Sequence, residues 1–107
     1  MKKVIILILL IYSIISVPAN AITRFGGPDC GQWFDEGRRQ SAKSWLSGYL
    51  SGLNTAIATD TNDPLERLNS MEQAYLWIDN YCKANPLHHT QRAALYLFQE
   101  LRQDQKK

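Results

Sequence analysis

The chain has 107 residues, 45% apolar and 21% charged, with a formal net charge of +2. That excess lies in Lys2 and Lys3, which precede an apolar run from Val4 to Val17 and an Ala19-Asn20-Ala21 end, the parts of a secretory signal peptide. Without residues 1–21 the chain carries ten basic and ten acidic side chains on 86 residues, which gives no electrostatic reason to bind nucleic acid or anionic membrane unspecifically and room for one small domain.

The competing reading of residues 1–21 is an uncleaved membrane anchor. The apolar run is short against the ~20 residues of a full span, and Ala19-Asn20-Ala21 suits cleavage. No later stretch approaches ~18 apolar residues, so no membrane span is expected after cleavage. The expected compartment is the periplasm or the exterior. Residues 22–29 contain Gly26-Gly27-Pro28, a breaker cluster that predicts an extended or mobile arm.

Cys30 and Cys82 are the two cysteines. In an oxidising compartment an even pair is most simply one disulfide. Closing a loop of about 50 residues is worth roughly 4 kcal/mol in the chain-entropy treatment, enough to decide whether so small a core folds. A redox or metal site is the alternative. It lacks a Cys-x-x-Cys, and His88 and His89, being adjacent, diverge by ~100° on a helix. No metal and no cofactor is expected.

The helical domain is expected over residues 30–103. A first long helix is predicted from Arg39 to Ala58, gathering Ala42, Trp45, Leu46, Tyr49, Leu50, Leu53, Ala56 and Ile57 on one arc. Its opposite side carries Ser44, Ser47, Gly48, Ser51, Asn54 and Thr55, polar but nearly chargeless, with Lys43 the exception. Solvent faces ordinarily use Glu, Lys and Arg, which favour helix more than Ser, Thr and Gly do. The plain explanation is a smooth solvated surface; the functional one is a contact face, centred on Ser44, Ser47, Gly48, Ser51 and Thr55, for a second subunit or another protein.

Asp63-Pro64 predicts a cap and a brief helical turn over Pro64–Leu68. The Asp60 to Asp63 run lacks the glycine and terminal glutamate of a calcium loop. A second helix starts after Asn69 or Ser70, where Asn69 with Glu72 or Ser70 with Gln73 has capping-box spacing. Met71, Ala74, Tyr75, Ile78, Tyr81 and Cys82 share its inner face, Trp77 flanks it, and Leu76 is exposed among Glu72, Asp79, Asn80 and Lys83. Asn85-Pro86 is read as cap and first residue of a third helix with Leu87, Ala94, Leu97, Phe98 and Leu101 buried. Residues 104–107 form a polar tail. No segment shows strand alternation. The chain therefore reads as all-α, a three- to four-helix domain stapled by one disulfide.

No catalytic constellation emerges. Glu72 and Asp79 are separated by about 10 Å of helix rise and read as surface charge unless a third group joins them. Ser41, Ser44, Ser47, Ser51 and Ser70 lack a nucleophile-elbow context. Gly48 and Gly52 are spaced for a helix face rather than a phosphate loop, and in an amphipathic helix they do not make a membrane dimer motif. The aromatic residues fall mostly on core arcs without a basic groove for bases. An enzyme is not expected; a protein-binding domain is.

The order of a cysteine, a helix with Gly48-Tyr49-Leu50-Ser51-Gly52-Leu53-Asn54, an acidic loop, and a helix ending in Cys82-Lys83-Ala84-Asn85-Pro86 resembles the small periplasmic acid-stress chaperones of the HdeA type. The resemblance covers roughly Cys30 to Arg102 and implies an exported helical fold with one disulfide, client proteins as partners, and a homodimer that loosens in acid. A looser likeness, on Gly48, Tyr49 and Gly52 and on the Tyr81 to Pro86 junction, is to periplasmic immunity proteins against type VI secretion amidase toxins, whose cysteine pattern differs. It implies an inhibitor of one specific envelope enzyme or toxin.

Overall fold

The computed structural model describes residues 26–103, together with Lys2 and Lys3. Apart from those two lysines, the predicted signal peptide lies outside the described residues, as do positions 22–25 of the arm and the tail 104–107. The described chain is all-α: α1 (Cys30–Trp33), α2 (Arg39–Ile57), a 3-10 turn (Pro64–Arg67), α3 (Met71–Ala84) and α4 (Thr90–Gln103). Among the described residues no helix is long and apolar enough to cross a membrane.

The helices enclose one core. Ala42, Leu46 and Leu50 from α2, Ala74, Ile78 and Cys82 from α3, and Ala93, Ala94, Leu97, Phe98 and Leu101 from α4 are buried together with Cys30 and Trp33 of α1. Their spacings of three and four residues place them on the inward stripe of each helix. α4 packs against α3, α2 and the 3-10 turn, and α1 fills the gap between α2 and α3. The predicted disulfide is present: Cys30 and Cys82 are bonded, with Cα atoms 5.0 Å apart, and both are buried.

α1 is a turn that sequence reading did not separate from the arm. Asp29 caps it, its carboxylate accepting from the Gln32 N–H at 2.7 Å, while the Gln32 side-chain oxygen accepts from the Asp29 N–H at 3.2 Å. This capping box satisfies donors that a helix start leaves unpaired. Asp63 and Pro64 open the 3-10 turn as expected, with the Asp63 side chain accepting from the Leu65 N–H.

Three local expectations need correction. Neither predicted capping box forms at α3. Ser70 makes no side-chain cap bond; the Gln73 amide oxygen instead accepts from the Asn69 N–H at 2.9 Å. The third helix begins at Thr90 rather than Pro86, and Leu87, expected inside, is 93% exposed. The cause is a backbone bridge to the segment before α1. The Cys30 N–H donates to the His88 carbonyl and the Thr90 N–H donates to the Pro28 carbonyl, with Asp29 and His89 paired antiparallel between them. That extended pairing holds 85–89 out of the helix, and Asn85 becomes the C-cap of α3. Finally, the apolar arc of α2 is not buried to its end: Ala56 and Ile57 are exposed. At 19 residues α2 is about 28 Å long, against about 21 Å for the 14-residue α3 and α4, so its last turn overhangs the layer beneath.

Candidate functional site: the outer face of α2

The long helix carries an open surface whose floor is glycine. Ser44, Gly48, Ser51, Gly52 and Thr55 are exposed and Ser47 is half-buried. A Cβ built on Gly48 or Gly52 would meet nothing within 4 Å. Beside the glycines lies a shallow apolar groove of ≈ 300 Å³ lined by Gly48, Tyr49, Gly52, Leu53 and Ala56, with Ile57, 41% exposed, at its end. Thr55 is not a free hydroxyl on this surface, since it donates to the Ser51 carbonyl at 2.8 Å.

Asn54, placed by periodicity with this polar face, is turned elsewhere. Its side-chain nitrogen donates to Asp63 at 2.8 Å and its oxygen accepts from the Leu65 N–H at 3.3 Å. It ties the helix to the 3-10 turn. Upstream, Trp45 and Tyr49 stack with centroids 5.0 Å apart, and the Tyr49 hydroxyl accepts from the Gln91 amide at 3.4 Å. The groove thus continues as an aromatic stripe toward the start of α2.

The polar cluster that sequence reading missed sits behind that start. Asp79, expected on the surface, is a third group's partner: it accepts from the indole N–H of fully buried Trp33 at 2.6 Å and from Arg39 at 3.0 Å. Arg39 also donates to the Trp33 carbonyl at 3.1 Å and lies 4.7 Å from the centroid of its ring. The ion-pair side chains are 29% and 22% exposed. The informative signal was the run of Trp33, Arg39 and Asp79, a buried donor and a cation both able to use one carboxylate. The cluster joins α1, α2 and α3, and its chemistry is structural: every donor in it is occupied by another member.

A second cluster covers the α3–α4 side. Trp77 stacks on Tyr81 at 5.6 Å and donates to Glu100 at 2.9 Å; the Tyr81 hydroxyl is 2.7 Å from His88 Nδ1. Burial pushes the Tyr81 hydroxyl pKa up, the neighbouring Tyr96 adds to the shift and Arg92 opposes it. His88 and His89 do not converge with Cys82, which is committed to the disulfide. Among the described residues no group of three His, Cys, Asp or Glu side chains is placed to hold a metal ion.

The geometry therefore offers contact surface on α2 and interior bracing elsewhere. Comparison with protein-family models, with curated proteins and with solved structures finds no match for this chain.

Proposed function

We propose that this chain is an exported, non-enzymatic protein-binding domain that works by contact through the outer face of α2, in the manner of the HdeA-type acid-stress chaperones it resembles. The observation that carries the reading is the apolar groove beside two exposed glycines, with Ile57 at its end. Small side chains let another backbone approach closely, and a face without charge meets its own copy without repulsion. At neutral pH the occupant is a second copy of the chain. In acid, with carboxylates protonated, residues 22–107 carry about +13 from ten Lys and Arg, two His and the new amino terminus. Repulsion then separates the copies and frees the groove for unfolded clients.

The test is sedimentation and client protection across pH on the oxidised protein. A dimer at pH 7 that dissociates near pH 2–3 and suppresses aggregation of an acid-denatured client supports the reading. A pH-independent monomer without protection defeats it. Capture of one specific envelope enzyme at neutral pH would favour the inhibitor reading instead.

A further inference from the structure

The groove on α2 has an upper end, and there the chain covers itself. Gly26 and Gly27 lie against the ring of Trp45 with φ of +73° and +86°. A Cβ on Gly26 would stand 2.9 Å from Trp45 Cδ1, and one on Gly27 2.7 Å from Cζ2. Only glycine reaches this conformation without strain and this distance without collision. The strap leaves a neighbouring hollow of ≈ 300 Å³ bounded by Pro28, Gln32, Arg38, Ser41, Ala42 and Trp45.

The next residues are held in a wholly different way. The Pro28 carbonyl accepts from both the N–H and the hydroxyl of fully buried Thr90. Asp29 is bound to Gln32, the Cys30 N–H to the His88 carbonyl at 2.9 Å, and Cys30 to Cys82. Gly26 and Gly27 make no hydrogen bond to a described residue. A fixed anchor at 28–30 is thus followed, toward the N-terminus, by a flap held through ring contact alone.

We propose that Gly26–Gly27 is a self-covering strap that occludes Trp45, and that an unfolded client displaces it to extend its hold from the groove at Gly48–Ala56 along the Trp45–Tyr49 stack. The proposal rests on the contact-face reading and assigns it a regulator. Lifting the two glycines costs no hydrogen bond, while Trp45 supplies a large apolar surface continuous with the groove through Tyr49. The client chemistry this fits is an extended segment with apolar side chains, since the strap it replaces is itself extended backbone laid on an indole.

Gly27→Ala tests it without touching Trp45 or the anchor. An alanine at φ of +86° is disfavoured and collides with the ring, shifting the strap toward its lifted position by about tenfold. Acrylamide quenching of tryptophan emission, with Trp45→Phe as the blank, reads the cover alone. Binding of reduced, carboxymethylated α-lactalbumin at neutral pH reads its consequence. The expected result is stronger quenching and reporter binding tightened by about the same factor. Unchanged quenching in Gly27→Ala and in the Gly26→Ala/Gly27→Ala pair, with helix content intact, overturns the strap. Stronger quenching with unchanged or weaker reporter binding overturns its regulatory role. Absence of reporter binding in every variant and the parent chain, at neutral and acid pH, instead defeats the contact-face reading, and the quenching result stands apart from it.

Discussion

The two halves of α2 are written in the same pattern and end in different states. Over Ala42 to Leu50 the apolar arc is covered: α1 and α3 close on it, Asp79 and Arg39 join the helices, and the disulfide lies beneath. Over Leu53 to Ile57 the same arc emerges from the core, braced through Asn54 to the 3-10 turn, and leaves a groove. Periodicity states which side of a helix is apolar. Whether that side is buried depends on the length and position of its neighbours, which periodicity does not contain.

Removing the staple should break the comparison outright. Cys30→Ser with Cys82→Ser removes a cross-link between residues 52 apart in sequence, worth roughly 4 kcal/mol. Urea titration should show the oxidised chain folded and the double variant largely unfolded at 37 °C, with both halves of α2 lost together. An unchanged midpoint would mean that the core alone holds the covered half.

Asp79→Ala should be the next largest effect, about 2–3 kcal/mol, because it leaves the indole N–H of a fully buried Trp33 without its acceptor and Arg39 without its counter-charge. Asp79→Asn keeps an acceptor for Trp33 and should cost less. Equal losses for the two would mean that charge, not the indole bond, dominates. On the open half, Asn54→Ala removes two bonds to the 3-10 turn and should cost about 1 kcal/mol. Hydrogen exchange should show that loss confined to the last turns of α2 and to residues 59–68; protection lost throughout would mean the open half is not separable.

These residues also mark where the sequence was readable. The spans of α2 and α3, the turn opened by Asp63-Pro64 and the Cys30–Cys82 bond follow from local patterns and composition, and the structure has them. The cluster around Asp79 was illegible because its members lie 33, 39 and 79 along the chain, and a carboxylate on the flank of an apolar stripe looks solvated until a buried donor faces it. Leu87 misled for a related reason. Asn85-Pro86 has the local chemistry of a helix start, but the pairing of 28–30 with 88–90 is a long-range contact that postpones the helix to Thr90. In the contact face, the exposure of Gly48 and Ser51 was legible from their place opposite the core; the strap over Trp45 was not, since Gly-Gly-Pro states only that regular structure stops.

The smallest effect separates folding from contact most cleanly. Gly48 sits in the interior of an exposed helix with nothing within 4 Å of its absent Cβ, so Gly48→Ala should raise stability by about 0.5–1 kcal/mol by restricting the unfolded chain. Gly48→Leu should fold as well, because its side chain projects into solvent, yet it fills the groove that Tyr49, Leu53 and Ala56 border. If the groove is used, sedimentation at neutral pH should show the dimer retained or modestly weakened by alanine and lost with leucine, while thermal midpoints stay at or above that of the parent chain. The comparison matters because Gly27→Ala must act in the opposite sense on the same surface: at Gly27 a methyl group meets an indole, at Gly48 it meets nothing. Two glycine-to-alanine changes, one uncovering the stripe and one leaving its floor nearly intact, distinguish a helix face kept open for contact from one merely lacking neighbours. Association unaffected by leucine at Gly48 would assign the open half of α2 to solvent.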